Sequence, residues 1–157
     1  MGANRGADRE VTKLEREIHI DAAPEAVYAK LMDPECLGQW VTIQDELLEA
    51  PDGDLEQGDT LVQRCKVAGQ KFKLRWKVEK ADRPRKTVWT GRGPLGAKAR
   101  VTYDLAANNG GTDFTYTNEY DLPGGPVGRL AGRTVARASG GEADKTLKAL
   151  KKLVENG

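Results

Sequence analysis

The chain is 157 residues long, with 25 lysines and arginines against 24 aspartates and glutamates and a formal net charge of +1. That length suits one domain that buries its core without disulfide or metal staples, and the balanced charge gives no bulk attraction to nucleic acid or another polyanion. The two cysteines, Cys36 and Cys65, fall in segments that read as helix and strand, so reduced thiols are expected rather than a disulfide framework.

Residues 1–10 are polar, contain Gly2 and Gly6 and lack the apolar stretch of a signal peptide, so they read as a disordered leader before a single domain over 11–157. No apolar run is long enough to span a bilayer, and a soluble, cytoplasmic protein without integral membrane association is expected. From Val11 to Ile20 the residues alternate, with Leu14, Arg16, Ile18 and Ile20 on one face and Lys13, Glu15, Glu17 and His19 on the other. This is the pattern of a half-buried strand with one arginine on its apolar side. Pro24 suits the first turn of a helix with Val27, Tyr28, Leu31 and Met32 inward. Asp33-Pro34 then caps and restarts a second short helix that runs to about Trp40.

Val41 to Leu48 reads as a strand, followed by an acidic loop from Glu49 to Asp59 whose acids are expected to be solvated. Thr60–Val67 and Gln70–Lys80 are strands joined at Ala68-Gly69, a hairpin signal. In the second of them Phe72, Leu74, Trp76 and Val78 face one way and Lys71, Lys73, Arg75 and Lys77 the other. The cations therefore have no aromatic on their own face to stack a base, and a solvated outer face is expected, with no nucleic acid as partner.

Thr87–Arg92 and Ala97–Leu105 form the next pair of strands. Between them Gly91-Arg92-Gly93-Pro94-Leu95-Gly96 matches G-x-G-x-x-G, but a proline sits inside it and a strand follows where a dinucleotide site needs a helix. Asn108-Asn109-Gly110-Gly111 is a tight turn into the strand around Phe114, where Phe114, Tyr116, Asn118 and Tyr120 share one face. A helix then runs from about Pro126, with Ala143, Leu147, Leu150 and Val154 as its apolar stripe. Ser139-Gly140-Gly141-Glu142 in its middle predicts either a kink or the start of a second helix.

The residues Ile20-Asp21-Ala22-Ala23-Pro24-Glu25-Ala26-Val27-Tyr28, Asp33-Pro34, Trp40, Gly58-Asp59-Thr60, Gly111-Thr112 and Glu119-Tyr120-Asp121-Leu122-Pro123-Gly124, in that order, resemble the START-like SRPBCC superfamily of polyketide cyclases/dehydrases and lipid-transport proteins. The resemblance covers nearly the whole chain from Val11. It implies an α+β helix-grip fold: a seven-stranded curved antiparallel sheet around a long C-terminal helix, with two short helices after strand one. It also implies a cavity between sheet and helix for a lipid, aromatic or polyketide-like molecule. Members include carriers, receptors, cyclases and proteins described as toxins, so a protein-interaction role of the same fold stays open.

Catalytic equipment is scarce. His19 is the one histidine and alternates to the outer face, and the acids and cysteines show no metal-ligand spacing, so no metal, no cofactor and no triad are expected. The candidate ligand-binding residues are Arg16, Tyr28, Trp40, Gln63, Cys65, Trp76, Tyr103, Tyr116, Asn118 and Tyr120, an apolar set with a few polar groups. If the protein is an enzyme, Arg16, Asn118 and Tyr116 are the groups that would polarise a carbonyl for cyclisation or dehydration. Arg16 needs an acceptor or an escape to solvent; a ligand carboxylate or phenolate, Glu119 and a backbone carbonyl are the alternatives. Gly124-Gly125-Pro126, Gly128, Gly132 and Gly140-Gly141 predict either ligand entry by displacement of the first half of the last helix against the Gly91–Gly96 loop or close packing of that helix.

Overall fold

A computed structural model describes residues 11–121 and 126–157, with side chains in the last helix from residue 140 onward. Strand β1 (Val11–Ile20) leads into helix α1 (Pro24–Leu31), a 3-10 turn (Pro34–Cys36) and helix α2 (Leu37–Trp40). Strands β2 (Gln44–Glu49), β3 (Thr60–Val67), β4 (Gln70–Asp82), β5 (Lys86–Arg92), β6 (Lys98–Asn108) and β7 (Gly111–Asp121) follow, and helix α3 (Pro126–Asn156) ends the chain. The leader predicted at 1–10, and Gly124 and Gly125 of the predicted entry hinge, lie outside the described residues.

The seven strands form one antiparallel sheet in the order β1-β7-β6-β5-β4-β3-β2, the expected helix-grip α+β arrangement. Two hairpins fix its register. Ala68 and Gly69 have φ of 51° and 79°, and Asn109 and Gly110 have 52° and 80°, the paired positive values of a turn whose twist matches the strands it joins. At the start of the helical segment Pro24 occupies the first turn of α1, and the Asp33 carboxylate accepts the Glu35 N–H at 3.0 Å to cap the 3-10 turn.

The core lies between the concave face of the sheet and the helices. Val27, Tyr28 and Leu31 of α1 and Met32 at its C-cap are buried, as are Ala143, Leu147, Leu150 and Val154 of α3. Burying a leucine-sized side chain contributes about 1.5–3 kcal/mol, so these two stripes hold α1 and α3 against the sheet more strongly than any surface ion pair. Helix α3 is continuous through Gly140 and Gly141, which resolves the choice between a kink and a second helix. At Gly140 a β-carbon would sit 3.3 Å from Arg16 Nη2, so the missing side chain makes room for the guanidinium.

Two local features depart from expectation. Strand β2 begins at Gln44 rather than Val41, because the Val41 N–H closes α2 on the Leu37 carbonyl and Thr42 is drawn to α3. The Thr42 N–H donates to Thr146 Oγ1 at 3.2 Å and its hydroxyl donates to Glu142 Oε2 at 2.8 Å. In the loop before β3, Asp52, Asp54 and Glu56 are exposed as expected, but Leu55 between them is buried and its N–H donates to the Met32 carbonyl. Strand β2 pairs with β3 through two register shifts, between Gln44 and Glu46 and between Leu47 and Glu49. No helix among the described residues is long and apolar enough to cross a membrane.

Candidate functional site

Alternation in each strand lays three rows across the concave face. One runs Arg16, Tyr116, Tyr103, Thr87; the next Leu14, Asn118, Val101, Trp89, Val78; the third Thr12, Tyr120, Ala99, Gly91, Trp76, Leu61. Tyr103 stands at the centre. Its ring centroid lies 6.0 Å from Trp40, 5.8 Å from Trp89, 5.7 Å from Phe114 and 5.8 Å from Tyr116. The Trp40 and Trp89 contacts are edge to face, the arrangement that ring quadrupoles favour. Trp76 extends the cluster at 6.3 Å from Trp89.

Most of the polar atoms woven into this cluster are satisfied. Trp76 Nε1 donates to Gln63 Oε1 at 2.8 Å, and Gln63 Nε2 donates in turn to Gln44 Oε1 at 2.6 Å. Trp89 Nε1 donates to Thr87 Oγ1 at 2.9 Å, and the Thr87 hydroxyl donates to the Lys80 carbonyl. Two are not. Trp40 Nε1 and Asn118 Oδ1 are buried with no hydrogen-bond partner among the described residues. An unmade hydrogen bond on a buried group costs about 1–3 kcal/mol, so one free donor and one free acceptor beside an aromatic cluster call for an explanation.

The Tyr103 and Tyr116 phenols stay protonated. Burial pushes Tyr116 up to about 12, against a side-chain hydrogen bond from Asn118 that favours the ionised form. Burial likewise holds Tyr103 well above its ordinary value, with the Tyr116 phenol adding to the effect. Desolvation raises the Cys65 thiol to about 12. Among the described residues of β1 and β3–β7, no histidine, aspartate, glutamate or lysine faces the concave side, and no three His, Cys, Asp or Glu side chains come together as a metal site. These described residues can donate and accept hydrogen bonds, and Tyr103, Tyr116 and Cys65 among them stay protonated near neutrality.

The residues singled out from the sequence divide into those the fold brings together and those it does not. Trp40, Tyr103, Tyr116, Asn118, Trp76 and Gln63 share the cluster and its rim, and Tyr120 lies in the row of Trp76. Cys65 is fully buried on β3 opposite Phe72 and Gln44, toward the far edge of the sheet. Tyr28 is turned elsewhere, its ring under the Arg83 guanidinium at 5.3 Å. Arg16 sits on the edge strand, where its Nε donates to Asp144 Oδ1 of α3 at 3.1 Å and its Nη1 to the Glu15 carbonyl at 2.9 Å. Its acceptors are thus a helix carboxylate and a neighbouring carbonyl. Glu119 is not one of them, because it pairs in register with Lys13 and points from the opposite face.

His19 is on the outer face as expected, with Nδ1 2.8 Å from Asp113 Oδ1 and Nε2 3.3 Å from Asp21 Oδ1. Sequence reasoning missed Trp89, the residue that links Trp76 to Tyr103. The signal was present: Thr87, Trp89 and Gly91 alternate in a short strand whose neighbours already had assigned faces. Gln44 was missed because its segment was started three residues early.

A family profile described as polyketide cyclase/dehydrase and lipid transport matches residues 11–155. The chain belongs to that family. An uncharacterized protein of Mycobacterium tuberculosis is 25% identical over 138 residues, covering 88% of this chain and 95% of its own. Among solved structures, an uncharacterized protein from Rhizobium leguminosarum superposes with a TM-score of 0.71 at 20% identity, covering 95% of this chain and 97% of that one. A Thermus thermophilus protein gives 0.71 at 21% identity, covering 92% and 98%. At these identities the structural likeness speaks for the fold.

Proposed function

We propose that the protein binds a hydrophobic or amphipathic small molecule, of lipid, aromatic or polyketide-like chemistry, between the concave face and α3, and does so without catalysing a reaction on it. The observation that carries this reading is the pair of buried unsatisfied atoms, Trp40 Nε1 and Asn118 Oδ1, flanking the Tyr103 aromatic cluster. A ligand with an apolar body, an acceptor for the indole and a donor for the amide would satisfy both and remove the desolvation cost. The scarcity of groups titrating near neutral pH on the described concave face weighs against acid–base catalysis. Organic extraction of the purified protein followed by mass spectrometry, with displacement of a fluorescent apolar probe, tests it. Failure of fatty acids, aromatic probes and polyketide-like compounds alike to displace the probe from the wild-type protein would sink the reading.

One feature favours a second reading, a cyclase or dehydratase. The protonated Tyr116 phenol beside the Asn118 amide is a hydrogen-bond pair of the kind that polarises a carbonyl. Arg16, the third group proposed for that chemistry, is held by Asp144 at 3.1 Å in a half-exposed pair that a ligand could displace. Turnover of poly-β-keto substrates by the wild type, abolished in Tyr116→Phe, would establish it over simple binding.

A further inference from the structure

The outer face of the sheet carries a row of like charges set directly opposite one another. Arg75 of β4 pairs in register with Arg92 of β5, and Arg92 with Lys98 of β6, and all three are exposed. Like charges at directly opposed positions destabilise a sheet. Lys73 and Arg100 add exposed cations on either side, while Lys77 is engaged by Glu79 at 3.6 Å. Across β6 the acids Asp121 and Glu119 of β7 close the row opposite Lys98 and Arg100. Among the described residues Arg75, Arg92 and Lys98 form no ion pair with a carboxylate.

The hairpin that joins Arg92 to Lys98 ends in a second anomaly. Leu95 at its tip is 88% exposed and has φ 58° and ψ 29°. A bulky residue in the left-handed region is strained where glycine would be free, and such strain persists where something other than stability selects it. Pro94 and Gly96 hold it out, and Gly93 seats the base of the loop against Leu74. A single exposed leucine means little by itself. A strained one projecting from between Arg92 and Lys98, neither of which forms an ion pair among the described residues, has the amphipathic character of an interfacial anchor.

From the charge row and the leucine together we infer that the β5–β6 hairpin and the adjoining outer face of β4 dock on an anionic lipid surface, with Leu95 entering the interface and Arg75, Arg92 and Lys98 against the headgroups. Nucleic acid fits less well, since the described aromatics lie on the concave face and leave no stacking platform beside the cations. The docking surface stands apart from whatever the concave face holds.

Co-sedimentation of the full chain with vesicles of phosphatidylcholine alone, and of phosphatidylcholine mixed with phosphatidylglycerol, tests it. Pelleting is expected with the anionic vesicles at low salt, with loss at high salt as the charges are screened. Each cation neutralised should weaken binding about fivefold, and Arg75→Gln/Arg92→Gln/Lys98→Gln together about a hundredfold. Leu95→Gly should also weaken binding while melting no lower than wild type, because glycine relieves the positive φ. That variant separates loss of docking from loss of fold. Equal pelleting with neutral vesicles, unchanged binding in either variant, or tighter binding to single-stranded DNA than to anionic vesicles would overturn the inference.

Discussion

The indole of Trp76 lies flat against the Cα of Gly91: a β-carbon on that glycine would meet ring carbons Cε3 and Cζ3 at 2.7 Å. No β-carbon tolerates such a contact, and the neighbours hold the indole in place through Gln63 and Trp89. Gly91→Ala is therefore expected to destabilise the protein by about 1–3 kcal/mol as an overpacked core. It should also shift the Trp76 fluorescence by breaking the bond to Gln63. Chemical denaturation followed by intrinsic fluorescence reads both.

Asn118→Leu is expected to behave differently from an ordinary core substitution. It removes a buried acceptor that has no partner among the described residues together with the amide's hydrogen bond to Tyr116, so the ligand-free protein should lose no more than the roughly 0.5–1.5 kcal/mol of one hydrogen bond. Affinity for a ligand that donates to Asn118 should fall at the same time. Urea denaturation beside probe displacement compares the two effects, and a large loss of stability would show that the amide is structural.

The ion pair between Arg16 and Asp144 has side chains 38% and 53% exposed, so it belongs with surface pairs. A double-mutant cycle with Arg16→Ala and Asp144→Ala should give a coupling of about 1 kcal/mol or less. Ligand affinity in Arg16→Ala is expected to stay within a factor of two or so, in contrast with Asn118→Leu.

His19 links pH to stability. Its pKa is raised above 6.5, chiefly by the hydrogen bond to Asp113 and further by the charges of Asp113 and Asp21, against desolvation and Lys151. A group whose folded pKa is raised contributes its full stabilisation below the unfolded value and loses it as pH climbs through the folded one. Denaturation midpoints should therefore fall across the window just above pH 6.5, and His19→Gln should flatten that slope. Asp113, whose pKa the His19 bond lowers, contributes in the opposite sense, with stabilisation lost as pH falls through its depressed value.

Cys65 offers a kinetic probe of opening. With its thiol fully buried and pushed up to about 12, it should resist alkylation in the folded protein and react only when β3 separates from its neighbours. Labelling rates across denaturant, followed by mass spectrometry, check this.

What was legible beforehand follows the physics of each signal. Strand alternation is local and strict, so the inward faces of β1, β3, β4 and β7 came directly from residues such as Leu14, Gln63, Trp76 and Tyr116. The two hairpins were legible because Gly69 and Asn109-Gly110 are residue types that accept the positive φ of such turns. The partner of Arg16 was not, since Asp144 lies 128 residues away and reaches it only through the packing of α3 on β1. The start of β2 was misplaced for a related reason: Thr42 has ordinary strand propensity, but its hydrogen bonds go to Glu142 and Thr146 of the last helix. The unsatisfied state of Trp40 and Asn118 is a property of everything around them, and no pattern in sequence encodes it.

The irregular pairing of β2 bears on how the molecule behaves in a crowd. An open sheet ends in two rows of unpaired backbone groups, and an incoming extended chain extends any edge that is long and flat. Helix α3 shields β1, through Asp144 on Arg16 and through Lys151, which donates to the His19 carbonyl at 2.8 Å. At the opposite margin β2 is six residues long, shifts register twice and carries Asp45, Glu46 and Glu49. A second chain laid along it would find hydrogen-bond groups out of step and carboxylates in its way, so growth of the sheet from copy to copy stops where the chain itself stops pairing cleanly.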